Sequence, residues 1–205
     1  MLELYCVAAF VCIGISAVAL GPSVRHGRAI YAASLIVSLI ALANALRALT
    51  ASTLRVSQLV LPLGIPWIGV HLRIDALSGF FLLILGLGSA GASLFAIGYG
   101  AHEQEPRRVL PFYPLFLAAM HLVLIADDAF VFLFAWELMS LASWALVMAQ
   151  HREPGNAQAG FVYLLMAVFS GLAILLTFGM MAGPTGGYVF DAMRLAHPSP
   201  AMAAL

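Results

Sequence analysis

The sequence contains no lysine and little charge of either sign: nine arginines and nine acidic residues among 205 positions, 9% charged in all and formally neutral. A water-soluble domain carries about 25% charged residues, so a chain this poor in charge cannot clothe a surface that faces water throughout. No basic stretch exists, which argues against nucleic acid as a partner. Cysteine is nearly absent. Cys6 and Cys12 stand six residues apart in one apolar run, a spacing that does not put them on one helix face, and no CxxC or Cys/His cluster accompanies them. They read as small apolar residues rather than as metal ligands or a disulfide. Nucleotide-binding glycine loops, nucleophile elbows and metal-ligand spacings are missing as well. We therefore expect no cofactor and no redox centre on this chain.

What the chain has is apolar surface: 63% of its residues are hydrophobic and its mean hydropathy is +1.04. A helix crossing a hydrocarbon core of about 30 Å needs about 20 apolar residues. Runs of that kind occupy residues 4–20, 30–50, 76–99, 109–126, 129–150 and 158–182. The expected fold is an all-α integral membrane protein with about six transmembrane helices. Polar residues and helix breakers separate the runs: Gly21-Pro22 with Arg25, His26 and Arg28, the stretch 52–73 with Pro62 and Pro66, residues 102–108, Asp127-Asp128, residues 151–156, and residues 183–200. The 52–73 stretch is too polar to span and is expected outside the membrane, with a short hairpin over 65–71. Residues 1–108 and 109–205 are expected to form two helical portions.

Ala17-Val18-Ala19 has the look of a signal-peptide cleavage site, but Glu3 and the absence of any basic residue before the run argue for a retained helix. With the N-terminus outside, Arg25, Arg28, Arg107, Arg108 and Arg152 fall on the inner side, and Arg47, Arg55, Arg73 and Arg194 on the outer, a slight positive-inside bias. Gly79, Gly86, Ser89, Gly91 and Ser93 punctuate the third run and suit close helix packing. Residues 201–205 begin another apolar stretch and read as a point where the sequence is cut.

Ionisable groups inside the runs are scarce. Glu137 lies nine residues past Asp128, about 13 Å along a helix axis and close to the midplane. A charge at that depth costs about 2.5–3.5 kcal/mol, so the side chain should face protein or water. Desolvation favours the neutral acid and a nearby cation favours the carboxylate, so a group balanced between them binds or releases a proton when the cation moves. The alternative is a protonated Glu that only fixes assembly through a hydrogen bond. No arginine lies near the middle of a run, so the cation must come from elsewhere. His121, seven residues before Asp128, falls within about 3 Å of the depth of Glu137 in an antiparallel hairpin. It reads either as a weaker relay partner or as a neutral His bonded to backbone. Asp127, Asp128, Glu103, Glu105 and Glu153 are expected to be solvated loop charges, and Arg47 and Asp75 to reach the interface from run ends.

The segment 125–144, IADDAFVFLFAWELMSLASW, resembles the fifth transmembrane helix of the antiporter-like subunits shared by respiratory complex I, multisubunit cation/proton antiporters and membrane-bound hydrogenases. Residues 73–81 (RIDALSGFF) resemble the third helix of that family and 159–167 (AGFVYLLMA) its sixth. Within the family, these segments and 190–195 (FDAMRL) look most like hydrogenase-4 component B and formate hydrogenlyase subunit 3. Such subunits have about fourteen helices with inverted repeats at their centre, and the resemblance covers the N-terminal part. It implies that Glu137 matches the family's essential glutamate, whose lysine partner lies on a seventh helix beyond this sequence. The implied function is proton or cation translocation in the inner (plasma) membrane, as a non-redox subunit of a hydrogenase or NADH-quinone oxidoreductase-like complex. Implied partners are lipid, other membrane-arm subunits, and the missing C-terminal helices, supplied by a full-length or split partner chain. The alternative is a truncated structural subunit that packs but does not conduct.

Overall fold

The computed structural model describes residues 2–20, 23–50, 56–62, 69–100, 105–183 and 187–195. Helix α1 spans Leu2–Leu20 and α2 Val24–Thr50; strands β1 (Ser57–Leu61) and β2 (Val70–Ile74) follow. Then come α3 (Ala76–Tyr99), the short α4 (Pro106–Val109), α5 (Phe112–Ile125), α6 (Ala129–Val147) with a 3-10 turn at Met148–Gln150, α7 (Asn156–Ala182) and α8 (Phe190–Leu195). Among the described residues six helical segments are long and apolar enough to cross a membrane: Leu2–Leu20, Arg25–Thr50, Ala76–Tyr99, Pro106–Ile125, Ala129–Gln150 and Asn156–Ala182. The multi-pass helical architecture is the one expected. Gly21-Pro22, Glu103 and the terminal stretch 201–205 lie outside the described residues.

Three local expectations need correction. The polar residues Arg25, His26 and Arg28 are helical, not loop, because Ser23 starts α2: its Oγ accepts from the His26 N–H at 3.1 Å and its carbonyl from the Gly27 N–H at 2.8 Å. A side-chain oxygen at this position satisfies donors that the first turn leaves open. The fourth span, Pro106–Ile125, starts slightly earlier than expected, and its hydrogen bonding is interrupted between α4 and α5, where Pro111 keeps a helical backbone but lacks the N–H to donate. A hairpin does form, but it pairs 57–61 with 70–74, antiparallel, with Leu59 opposite Leu72; residues 65–68 of the expected hairpin lie outside the described residues.

The core joins α1, α2, α3, α5 and α6 through Val7, Phe10, Ala45, Leu82, Leu117, Ala118, Ile125 and Val131, with Leu72 of β2 capping it. Small residues set the α2–α3 approach: Gly79, Gly86, Ser89 and Ser93 are buried, and a Cβ at Gly86 would meet the Leu42 backbone at 3.0 Å. Gly91 faces open space instead. Helix α7 is the least covered span, packed on α6 alone of the long helices through most of its length, with only 6% of its apolar window buried.

Candidate functional site

The end of the bundle carrying the hairpin is tied by carboxylates that sequence reasoning assigned to water. Asp127 and Asp128 are 4% and 0% exposed, which overturns the expectation that they are solvated. Asp128 caps α6 in extended conformation, Oδ1 accepting from the Val131 N–H at 2.7 Å. Its Oδ2 accepts from the His71 N–H at 2.8 Å, and His71 Nδ1 lies 3.5 Å from the same oxygen. The Asp127 N–H donates to the His71 carbonyl, 2.9 Å, while its own carbonyl accepts from the Phe190 N–H, 3.1 Å. Arg73 gathers three carboxylates: Nε is 3.1 Å from Asp127, one terminal nitrogen 3.2 Å from Asp191 and the other 3.5 Å from Asp75.

These groups titrate in opposite senses. Burial raises Asp127 above its ordinary value despite Arg73, and Asp191 adds to the rise. Burial also opposes ionisation of Asp75, but the Ser78 N–H that it caps and the Arg73 guanidinium outweigh it and leave Asp75 low. The clasp thus fixes the start of α6, the helix that carries Glu137.

Glu137 is half-buried and turned toward α7. With Phe130, Leu133 and Phe134 it forms one wall of a groove of about 510 Å³, and Val168, Gly171, Leu172 and Leu175 of α7 form the other. Phe130, Leu133 and Phe134 stand at positions −7, −4 and −3 from Glu137, so the helical period collects them on one face. Gly171 permits the approach: a Cβ there would overlap Glu137 Oε1. Further along, Gly160 lies equally close to Met148, with Trp144 beside it. Ser170, the neighbour of Gly171, returns its hydroxyl to the Ala167 carbonyl at 2.8 Å.

His121 points elsewhere. It is fully buried on α5, with Nδ1 2.8 Å from the Leu117 carbonyl, and its ring lies against Phe10 of α1 at a centroid distance of 5.3 Å. Among the described residues no hydrogen bond joins it to Glu137. The structure also buries a carboxyl that sequence reasoning used only to argue for a retained first helix: Glu3 is 0% exposed and its Oε1 accepts from Asn44 Nδ2 at 2.8 Å. The available signal was the pairing of Glu3 with the stripe Cys6, Val7 and Phe10 at helical spacing. No group of three or more His, Cys, Asp or Glu able to hold a metal occurs among the described residues.

Residues 126–204 match the family described as NADH:quinone oxidoreductase/Mrp antiporter, TM. Among curated proteins, the chain is 37% identical over 139 residues to an uncharacterized protein of Mycobacterium tuberculosis, covering 64% of this chain and 22% of that one. It is 32% identical over 134 residues to hydrogenase-4 component B of Escherichia coli, covering 64% and 20%. The chain therefore spans about a fifth of the length of these relatives. Among solved structures, one chain of the Mrp complex from Dietzia sp. shares the fold at a TM-score of 0.73 and 22% identity, over 100% of this chain and 22% of that one. By these matches the chain resembles part of the antiporter-like membrane subunits, and its six-helix fold is shared with one of them.

Proposed function

We propose that this chain is part of a proton- or cation-translocating membrane subunit, with Glu137 as its titratable intramembrane switch. The observation that carries the reading is the seating of a carboxyl in an apolar groove, against a helix whose glycine admits it. Neither α6 nor α7 contains an arginine, and the chain has no lysine, so the reading requires the cation to arrive on another polypeptide segment. A basic side chain brought to the open side of the groove favours the carboxylate; its withdrawal favours the neutral acid. Each pKa unit of that alternation corresponds to about 1.36 kcal/mol, which is how a charge displacement elsewhere in an assembly becomes proton uptake or release here. The likeness to hydrogenase-4 component B and to the NADH:quinone oxidoreductase/Mrp family supports partners in a membrane arm of that kind; the reading puts the assembly in the plasma membrane. His121 is assigned no step in this reading.

The test is Glu137→Gln in the intact subunit and its assembly, reconstituted in vesicles that report pH change alongside electron transfer. Gln keeps size and hydrogen-bonding capacity but cannot titrate. Translocation should collapse while assembly persists and redox turnover continues in part. Normal translocation by the assembled variant would remove Glu137 from the mechanism.

A further inference from the structure

At the end of the bundle opposite the hairpin, a cavity of about 470 Å³ opens on the seam between α1 and the α4–α5 segment. Ala17 and Val18 of the last turn of α1 form one wall, and Leu110, Pro111 and Phe112 form the other. Its floor is packed, since Ala17 and Leu110 are buried in one cluster with Ile30 and Tyr31 of α2. Its rim is open, with Val18 70% and Phe112 36% exposed. The volume falls within the range of about 300–1,000 Å³ usual for pockets that take small molecules.

Arg107 is the charged member of this lining. Among the described residues no carboxylate pairs with it, and the nearby Glu105 is engaged by Arg152 at 3.4 Å. Arg107 stands five residues before Phe112, about 7 Å nearer the helix start at the usual rise, and the span itself opens at Pro106. The guanidinium therefore belongs at the headgroup level, where arginine holds its charge in the polar layer while its stem covers apolar surface. Arg25, Arg28 and Arg108 are exposed at the same end of the bundle and add to its positive field. A packed apolar cavity with a cation at headgroup depth complements an amphiphile with an anionic head. An inorganic anion makes no use of the apolar walls, and no carboxylate lines the cavity to receive the ammonium of a zwitterionic head.

We propose that this cavity is a binding site for an anionic phospholipid, with the headgroup phosphate on Arg107 and the start of an acyl chain between Val18 and Phe112. The lipid would join the end of α1 to the point where Pro111 interrupts the fourth span. The site shares no residue with the Glu137 groove and lies wholly outside residues 126–204, so it stands or falls independently of the Glu137 reading.

The test is a lipid titration of the full chain in detergent, read by native mass spectrometry. The probes are phosphatidylglycerol, phosphatidylcholine with the same acyl chains, and glycerol phosphate as a headgroup without chains. The wild type should hold its first phosphatidylglycerol more tightly than phosphatidylcholine. Arg107→Gln should weaken phosphatidylglycerol by about fivefold, the factor one basic side chain contributes at an anionic surface, and should erase the preference. Arg25→Gln removes the same charge at an exposed position that does not line the cavity, and should change the affinity by less than about twofold. Val18→Trp fills the rim and should weaken both lipids alike; if it does not fold, the arginine pair still decides. A preference that survives Arg107→Gln, or an equal loss in Arg25→Gln, would overturn the site. Displacement of the lipid by glycerol phosphate at comparable concentration would also overturn it, by assigning the cavity to a free anion.

Discussion

The carboxyl of Glu137 occupies the space that a side chain at position 171 would fill. One helix supplies the acid and its neighbour supplies the missing Cβ, so the two positions act as a single fitted contact. Gly171→Leu should force them apart at a cost of about 1–3 kcal/mol, the usual range for overpacking. Gly179→Leu, on the same helix but facing open space, should stay within about 0.5 kcal/mol of wild type. Thermal unfolding in a matched detergent distinguishes them, and equal losses would refute the fitted contact.

Asp128 should matter to folding. Asp128→Ala removes the cap of α6 and leaves the His71 N–H without its acceptor, for a loss of about 1.5–3 kcal/mol. Asp128→Asn retains a capping oxygen and should lose distinctly less. If both variants melt with the wild type, the burial seen here has no energetic consequence.

Arg73→Gln should loosen the junction of hairpin, α5–α6 turn and α8. The expected sign is faster amide exchange at Asp127 and Phe190, whose N–H groups donate to His71 and Asp127. Arg194, paired with Asp191 at 2.7 Å on the exposed surface, serves as comparison, since exposed pairs contribute little. Exchange at both amides should be unchanged in Arg194→Gln.

Acid should separate Asp75 from Asp127. Asp75 sits below its ordinary 3.8 when folded, so its contribution is present above that value and is lost as pH falls through the folded pKa. Asp127 sits above 3.8; the folded state holds its proton more tightly, so stability from this group grows on acidification and fades as pH rises through the folded value. The stability advantage of wild type over Asp75→Asn should therefore shrink as pH drops below about 4. The difference from Asp127→Asn should move in the opposite direction. Unfolding midpoints across an acid series would show both trends.

The spans were legible because a run of apolar residues long enough to cross lipid is a signal that no tertiary contact needs to complete. The α6 face toward α7 was legible for a related reason: helical spacing alone groups Phe130, Leu133 and Phe134 with Glu137, and Gly171 is a gap on the facing helix. The burial of Asp128 was not, because its donor, the His71 N–H, lies 57 residues away in sequence. Glu3 failed in the same manner. Its partner Asn44 is 41 positions distant, and nothing local distinguishes a carboxyl at the headgroup level from one enclosed by two helices. Ser23, by contrast, is a local signal: a hydroxyl residue three positions before the His26 N–H it accepts from marks a helix start that the following charges mask.

A two-stranded ribbon ordinarily offers two open edges, each a template on which another chain can lay down a strand. Here the turn after α5 takes one of them: Ala126 pairs with Leu72, and His71 bonds Asp127 and Asp128. Only the outer side of β1, where Val60 is exposed, keeps free backbone groups along the described residues. Any strand added by a neighbour, whether in an ordered assembly or in an aggregate, is thereby directed to residues 57–61 and away from the turn that anchors α6.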